Sequence, residues 1–230
     1  MDCDRGPSRG LTVSGPDDGA APRQPATGHP VLGEHPLLRR IRRALEARPG
    51  ALAPDDGAPR RAAVAVVFRD ASDDIELLLI KRSERDGDPW SGHVALPGGR
   101  QDPTDATLQD TALRETLEET GIDIARDGIV LGTLDELRPR TPVLPPIIVT
   151  PFVAVVPATV SIHPSDEVAD TFWVPLSALS DPAVAMESDV TARGTTWRVP
   201  TYRLGVHVVW GMTERILRNL LTLIDATDAM

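Results

Sequence analysis

Three glutamates fall within five positions, Glu115, Glu118 and Glu119, inside "LPGGRQDPTDATLQDTALRETLEETGI" (96–122). On a helix turning about 100° per residue, Glu119 lies about 40° from Glu115 and Glu118 about 60° to the other side, with Leu113 and Leu117 opposite. The spacing predicts a helix over 105–120, with Asp105 as N-cap and Gly121 just past the end. One face is acidic, and the leucines of the other anchor it on a sheet. A solvated surface is the ordinary meaning of such a face. Here, however, Glu115 and Glu119 form a repulsive i,i+4 pair, and Glu118 and Glu119 sit where the helix dipole disfavours anions. A cation among them relieves both penalties, and oxygen-only ligands favour a hard ion, Mg²⁺ or Mn²⁺. Gly98 and Gly99 let the preceding backbone approach this face, so the Gly99 carbonyl is a further candidate metal ligand. Arg114 is placed to hold a carboxylate.

The rest of the chain alternates apolar, β-branched runs with a few amphipathic ones. Strands are predicted at 62–68, 75–82 (a hairpin with the first), in "HVALPGG" (93–99, ending in a Gly-Gly turn), and at 129–137, 147–156, 171–176 and 195–204. Pro151 predicts a bulge or an edge position for the strand that contains it. Helices are predicted within "HPLLRRIRRALEARPG" (35–50), where Leu37, Leu38, Ile41, Ala44 and Leu45 fall at helical spacing and Gly50 lies just past the end, and over about 212–225. This pattern indicates an α/β or α+β sandwich. Residues 1–33, rich in Gly, Pro, Asp and Arg, read as a disordered tail, and 34–228 as one domain.

The chain has 230 residues and a formal charge of −10. That excess of carboxylates argues against DNA, RNA or an anionic membrane as partner, but not against an anionic small molecule held by a metal and local arginines. The one cysteine, Cys3, permits no internal disulfide. No secretory signal and no run long enough to span a bilayer is present, so a cytoplasmic location is expected.

Gly99, Arg114, Glu115, Glu118, Glu119, Gly121 and Ile122 resemble the Nudix box, G-x5-E-x7-R-E-U-x-E-E-x-G-U, where U is aliphatic. Thr116 stands at the strict U position after Glu115, with aliphatic Leu117 next to it. There are two further departures: Asp105 replaces the first Glu, and eight residues rather than seven separate it from Arg114. Both are similar to the coenzyme A pyrophosphatase branch, as is "LLIKRSERDGDPWSGHVALPGG" upstream. Ile80 stands there for the branch's Thr, and no arginine is in register, Arg85 being the nearest.

The resemblance implies a Nudix α/β/α sandwich, with a mixed sheet between helices and a loop–helix–loop catalytic motif. It implies Glu115 and Glu119 as principal metal ligands, with Glu118 and Gly99 assisting. The catalytic base is then a box glutamate or one from a later loop, for which Glu167 is the candidate. Arg82, Arg85 and Arg100 are candidates for phosphate binding, though each reads equally as a surface residue. Trp90 either stacks on adenine, closes a lid or packs in the core. His93 reads as structural, and Trp173 and Trp210 as core.

The implied activity is metal-dependent hydrolysis of a phosphoanhydride. Coenzyme A or acyl-CoA is the first substrate choice, giving adenosine 3′,5′-bisphosphate and 4′-phosphopantetheine. ADP-ribose or another nucleotide is the enzymatic alternative, and a non-catalytic nucleotide-binding domain the other. A homodimer is expected by analogy.

Overall fold

The computed structural model describes residues 32–71, 74–86, 90–139, 146–192 and 194–228. Most of the expected tail, including Cys3, lies outside them, as do 140–145 of the Pro-rich loop. Leu32 already packs against the core.

Helix α1 (Pro36–Ala47) starts where Pro36 fixes φ and the His35 ring accepts the Leu37 N–H. It buries Leu38, Ile41, Ala44 and Leu45. Strands β1 (Arg60–Asp70) and β2 (Ile75–Arg82) form the expected antiparallel hairpin, with Phe68 opposite Leu77. Short strands β3 (Val94–Ala95) and β4 (Gly98–Arg100) then pair with β2 and β1 respectively. Helix α2 (Leu108–Thr120) and the short α3 (Ile124–Asp127) carry the chain over the sheet to β5 (Ile129–Thr133) and β6 (Ile147–Val156).

Strand β6 runs parallel to β1 from Arg60–Ile147 to Arg69–Val156, so the sheet is mixed. It also pairs with β5 on its other side. Of the two expectations for β6, the edge does not hold, while an irregular register is present in its pairing with β5, on the β5 side between Val130 and Gly132; Pro151 lies just beyond the last β5 partner.

Strand β7 (Val168–Pro175) pairs along β2. After α4 (Leu176–Leu179), strands β8 (Ala185–Ala192), β9 (Thr195–Leu204) and β10 (His207–Trp210) make a second, three-stranded sheet, and α5 (Gly211–Asp228) ends the fold. Strand β8 was not expected. "AMESDVTA" has almost no apolar pattern of its own and is a strand because β9 pairs with all of it.

The large sheet has two buried faces. On one, Val66, Phe68, Leu77, Leu79, Val153 and Val155 meet α1 and α5. On the other, Ala63, Ala65, Val67, Leu78, Ala154 and Trp173 meet α2. The result is the expected α/β/α sandwich. No helix among the described residues is long and apolar enough to cross a membrane.

Two expectations for α2 fail. Its N-cap is Thr107, in a reciprocal capping box with Asp110, not Asp105. Its sheet-facing side is built on small residues more than on the leucines: Leu113 packs against the core but Leu117 is 46% exposed, whereas Thr111, Ala112, Thr116, Glu119 and Thr120 are buried. The buried hydroxyls donate back into the helix, from Thr116 to the Ala112 carbonyl at 2.7 Å and from Thr120 to that of Thr116 at 2.6 Å, so their burial leaves no donor unsatisfied. Small side chains on both surfaces bring helix and sheet close, and the acidic face turns inward.

This orientation has a direct consequence for stability. Thr116→Leu should lower it by about 1–3 kcal/mol through overpacking, while Leu117→Gln stays within about 0.5 kcal/mol. Urea denaturation of both variants checks this; the opposite ranking would mean that the leucine face is the buried one.

Candidate active site

The close seating of α2 sets the first contacts. Glu119 is 3% exposed. Its carboxylate accepts the Gly98 N–H at 2.9 Å and lies 3.3 Å from the Arg82 guanidinium. Burial pushes its carboxyl up to about 7; the Gly98 donor and Arg82 oppose the rise, while Glu115 and Glu167 add to it. One turn earlier the Glu115 carboxylate lies against Gly99, where any Cβ would overlap it. Burial also raises the Glu115 carboxyl, against the pull of Arg114, and the charges of Glu118 and Glu167 raise it further. Glu118 is exposed and reaches Arg114 at 3.0 Å.

Arg114 is held from behind by Asp105. Its Nε and Nη2 each meet one Asp105 oxygen at 2.9 Å, a bidentate fork. Thr111 Oγ1 and the Asp102 N–H also donate to Asp105, both at 2.9 Å. Arg114 foremost, with these donors, holds the Asp105 carboxyl well below the usual range despite its burial. Arg114 Nη1 is left to meet Glu115 at 2.9 Å, while Nη2 also reaches the Arg100 carbonyl at 3.3 Å.

The C-terminus of α2 is closed by the segment 157–167. Gly121, at φ 73, ends the helix and donates to the Leu117 carbonyl. The His163 N–H donates to the Thr120 carbonyl at 2.7 Å, and the Ser165 N–H to that of Glu119 at 3.1 Å. These bonds use the helix-end carbonyls that would otherwise face the glutamates. They also deliver Glu167 to the same region, where the Ser83 N–H donates to its carbonyl at 2.8 Å. Arg85 pairs with the Glu167 carboxylate at 2.9 Å.

The fold therefore brings Glu115, Glu119, Glu167, Arg82 and Arg114 together, with Gly99 as the wall and Glu118 and Arg85 at the rim. Trp90 is half-buried on the loop after Arg85, and Arg100 is exposed at the end of β4. Sequence reasoning missed the Arg82–Glu119 contact, the Gly98 donor and the placing of Glu167 by backbone bonds. The nine-residue step from Asp105 to Arg114 was the available signal for that pair.

A family model described as NUDIX domain matches residues 59–193, more than half of the chain. The chain belongs to the Nudix family. It is 38% identical over 144 residues to an uncharacterized Nudix hydrolase, NudL, of Photorhabdus laumondii, covering 62% of this chain and 74% of that protein. An uncharacterized protein of Schizosaccharomyces pombe is 38% identical over 141 residues, or 53% of this chain, which spans 43% of that relative's length. The crystal structure of a MutT/nudix family protein from Enterococcus faecalis shares the fold, with a TM-score of 0.50 at 20% identity over 75% of this chain and 65% of that one.

Nudix hydrolases generally use divalent metal ions, and the donor chemistry here fits one. Glu119 is buried and Glu115 half-buried, their charged forms disfavour each other, and carboxylates offer the hard oxygen donors such an ion takes. Among the described residues no three acidic, His or Cys side chains already converge as a metal cage. Instead Arg114 engages Glu115 and Glu118, and Arg82 with Gly98 engages Glu119.

The raised Glu119 carboxyl makes metal-free stability depend on pH. A folded-state value above the unfolded one stabilises fully below the ordinary carboxylate range, and that contribution is lost as pH rises through about 7. In EDTA, wild type should thus lose stability between pH 5 and pH 8 relative to Glu119→Gln, and Mg²⁺ or Mn²⁺ should restore it most at pH 8. Thermal denaturation at both pH values measures this; parallel profiles for the two proteins would place the Glu119 carboxylate in solvent.

Proposed function

We propose that this Nudix protein is a metal-dependent hydrolase that cleaves the phosphoanhydride of a nucleoside-diphosphate derivative. The observation that carries the reading is the seating of buried Glu119 and half-buried Glu115 against a glycine wall, with Glu167 close enough to raise both carboxyls. Carboxylates kept so close against their own repulsion suit a site that works with a divalent cation. Glu115 and Glu119 would hold Mg²⁺ or Mn²⁺, with Glu118 and the Gly99 carbonyl assisting; the bound ion would neutralise phosphate charge.

The chain's own groups supply the rest. Asp105 fixes Arg114, which keeps Glu115 in place. Glu167 accepts the proton of the attacking water as the new P–O bond forms and the bridging P–O bond breaks. Arg82 and Arg85 stand beside these acids and can exchange a carboxylate for a phosphate oxygen. Coenzyme A or acyl-CoA is the first substrate choice, since "GGRQDPTDATLQDTALRE" and its upstream flank are similar to that branch of the family. The products are then adenosine 3′,5′-bisphosphate and 4′-phosphopantetheine or its acyl form.

A panel of coenzyme A, acetyl-CoA, ADP-ribose and nucleoside triphosphates, with Mg²⁺ and with Mn²⁺ and products identified by mass, tests this. Coenzyme A should turn over fastest, and Glu167→Gln should lower kcat by about 10²–10⁴ with KM little changed. Faster turnover of ADP-ribose would change the substrate and leave the chemistry. No cleavage of any diphosphate with either metal would leave a nucleotide-binding domain without turnover.

A further inference from the structure

Aromatic residues are 3% of this chain, yet two rings meet beside the candidate site. The His93 and Trp210 rings lie with centroids 4.8 Å apart and planes tilted by 60°. Trp210 ends β10 and was expected in the core, as Trp173 is. It is instead only half-buried. The next residue, Gly211, stands at φ 69, and a Cβ built on it would meet nothing within 4 Å, so there is open space beside Trp210.

The backbone ties this pair to the acidic cluster. The Arg82 N–H donates to the His93 carbonyl at 3.0 Å, and the Arg82 guanidinium reaches Glu119. His93 therefore stands beside Arg82 in the sheet, with its ring against that of Trp210. The His93 N–H donates to the Trp90 carbonyl at 3.1 Å. A half-wet indole on an ordered support, next to charged groups suited to phosphates, is a surface for a planar, uncharged ring.

We propose that Trp210, braced by His93, is the stacking surface for the nucleobase of the diphosphate substrate, and is a specificity-determining residue of the site. The assignment rests on the hydrolase reading for its substrate class. Stacking predicts selection for an aromatic base and indifference to what lies beyond the second phosphate. The pantetheine arm of coenzyme A and the second ribose of ADP-ribose would then extend away from Trp210.

Kinetics of the full chain with Mg²⁺ on coenzyme A and ADP-ribose provide one test. Trp210→Ala should raise KM for both about 10–100-fold with kcat within about twofold, and Trp210→Phe should keep KM within about threefold. Trp210→Leu fills the apolar volume without a π face and replaces the alanine variant if that one does not fold.

Tryptophan fluorescence is the readout that needs no turnover. ADP should quench wild type and inorganic diphosphate should not, and the ADP quench should be lost in Trp210→Phe. Unchanged KM in Trp210→Ala, an ADP quench that persists in Trp210→Phe, or a KM increase for coenzyme A alone would each overturn the assignment, the last giving the surface to the pantetheine arm. An ADP quench that depends on Trp210 in a protein that hydrolyses no diphosphate would remove the hydrolase reading and keep the stacking surface.

Discussion

The close seating of α2 on the large sheet is the contact on which the rest of the site depends. Ala112, Thr116 and Thr120 face Ala63 and Ala65, and none of these side chains is large enough to hold the helix away. The approach lets Glu115 rest on Gly99 and brings Glu119 to the Gly98 N–H. A leucine at Thr116 or a side chain at Gly99 would move the carboxylates outward, into water. In water their repulsion is weak and so is their demand for a cation.

Donor number, together with the deeper desolvation of Glu119, separates the two kinds of acid in this site. The Asp105 side chain is 5% exposed and that of Glu119 is 4% exposed. Their carboxyls nevertheless shift in opposite directions. Asp105 takes two arginine donors, a hydroxyl and a backbone N–H, and these outweigh its desolvation. Glu119 takes one backbone N–H and a longer contact from Arg82, and desolvation prevails. The first acid is locked as an anion and orients Arg114. The second is left short of positive charge.

Much of the fold was legible because strong local patterns coincide with strong tertiary needs. Strands β2 and β6 span the residues that their apolar runs predict, 75–82 and 147–156, since both are buried within the sheet. The orientation of α2 was misread for a related reason. A helical wheel ranks faces by hydrophobicity, but this helix buries its small residues and leaves Leu117 outside. Strand β8 had no pattern to read, because its structure comes from pairing with β9. Trp210 looked like core because its neighbours in sequence are apolar, whereas the end of β10 leaves it half open.

By itself the sequence determined family membership. The order of glycines, arginine and glutamates from Gly98 to Gly121 specifies a glycine turn, a helix and its stop, and those follow from local backbone preferences. Only the tertiary structure decided which groups meet. Arg82 lies 37 residues from Glu119 in the chain, and Glu167 lies 82 residues from Arg85. Such contacts come from strand pairing between β2 and β7 and from hydrogen bonds at the end of α2. These depend on how the whole sheet assembles, and no local pattern encodes them.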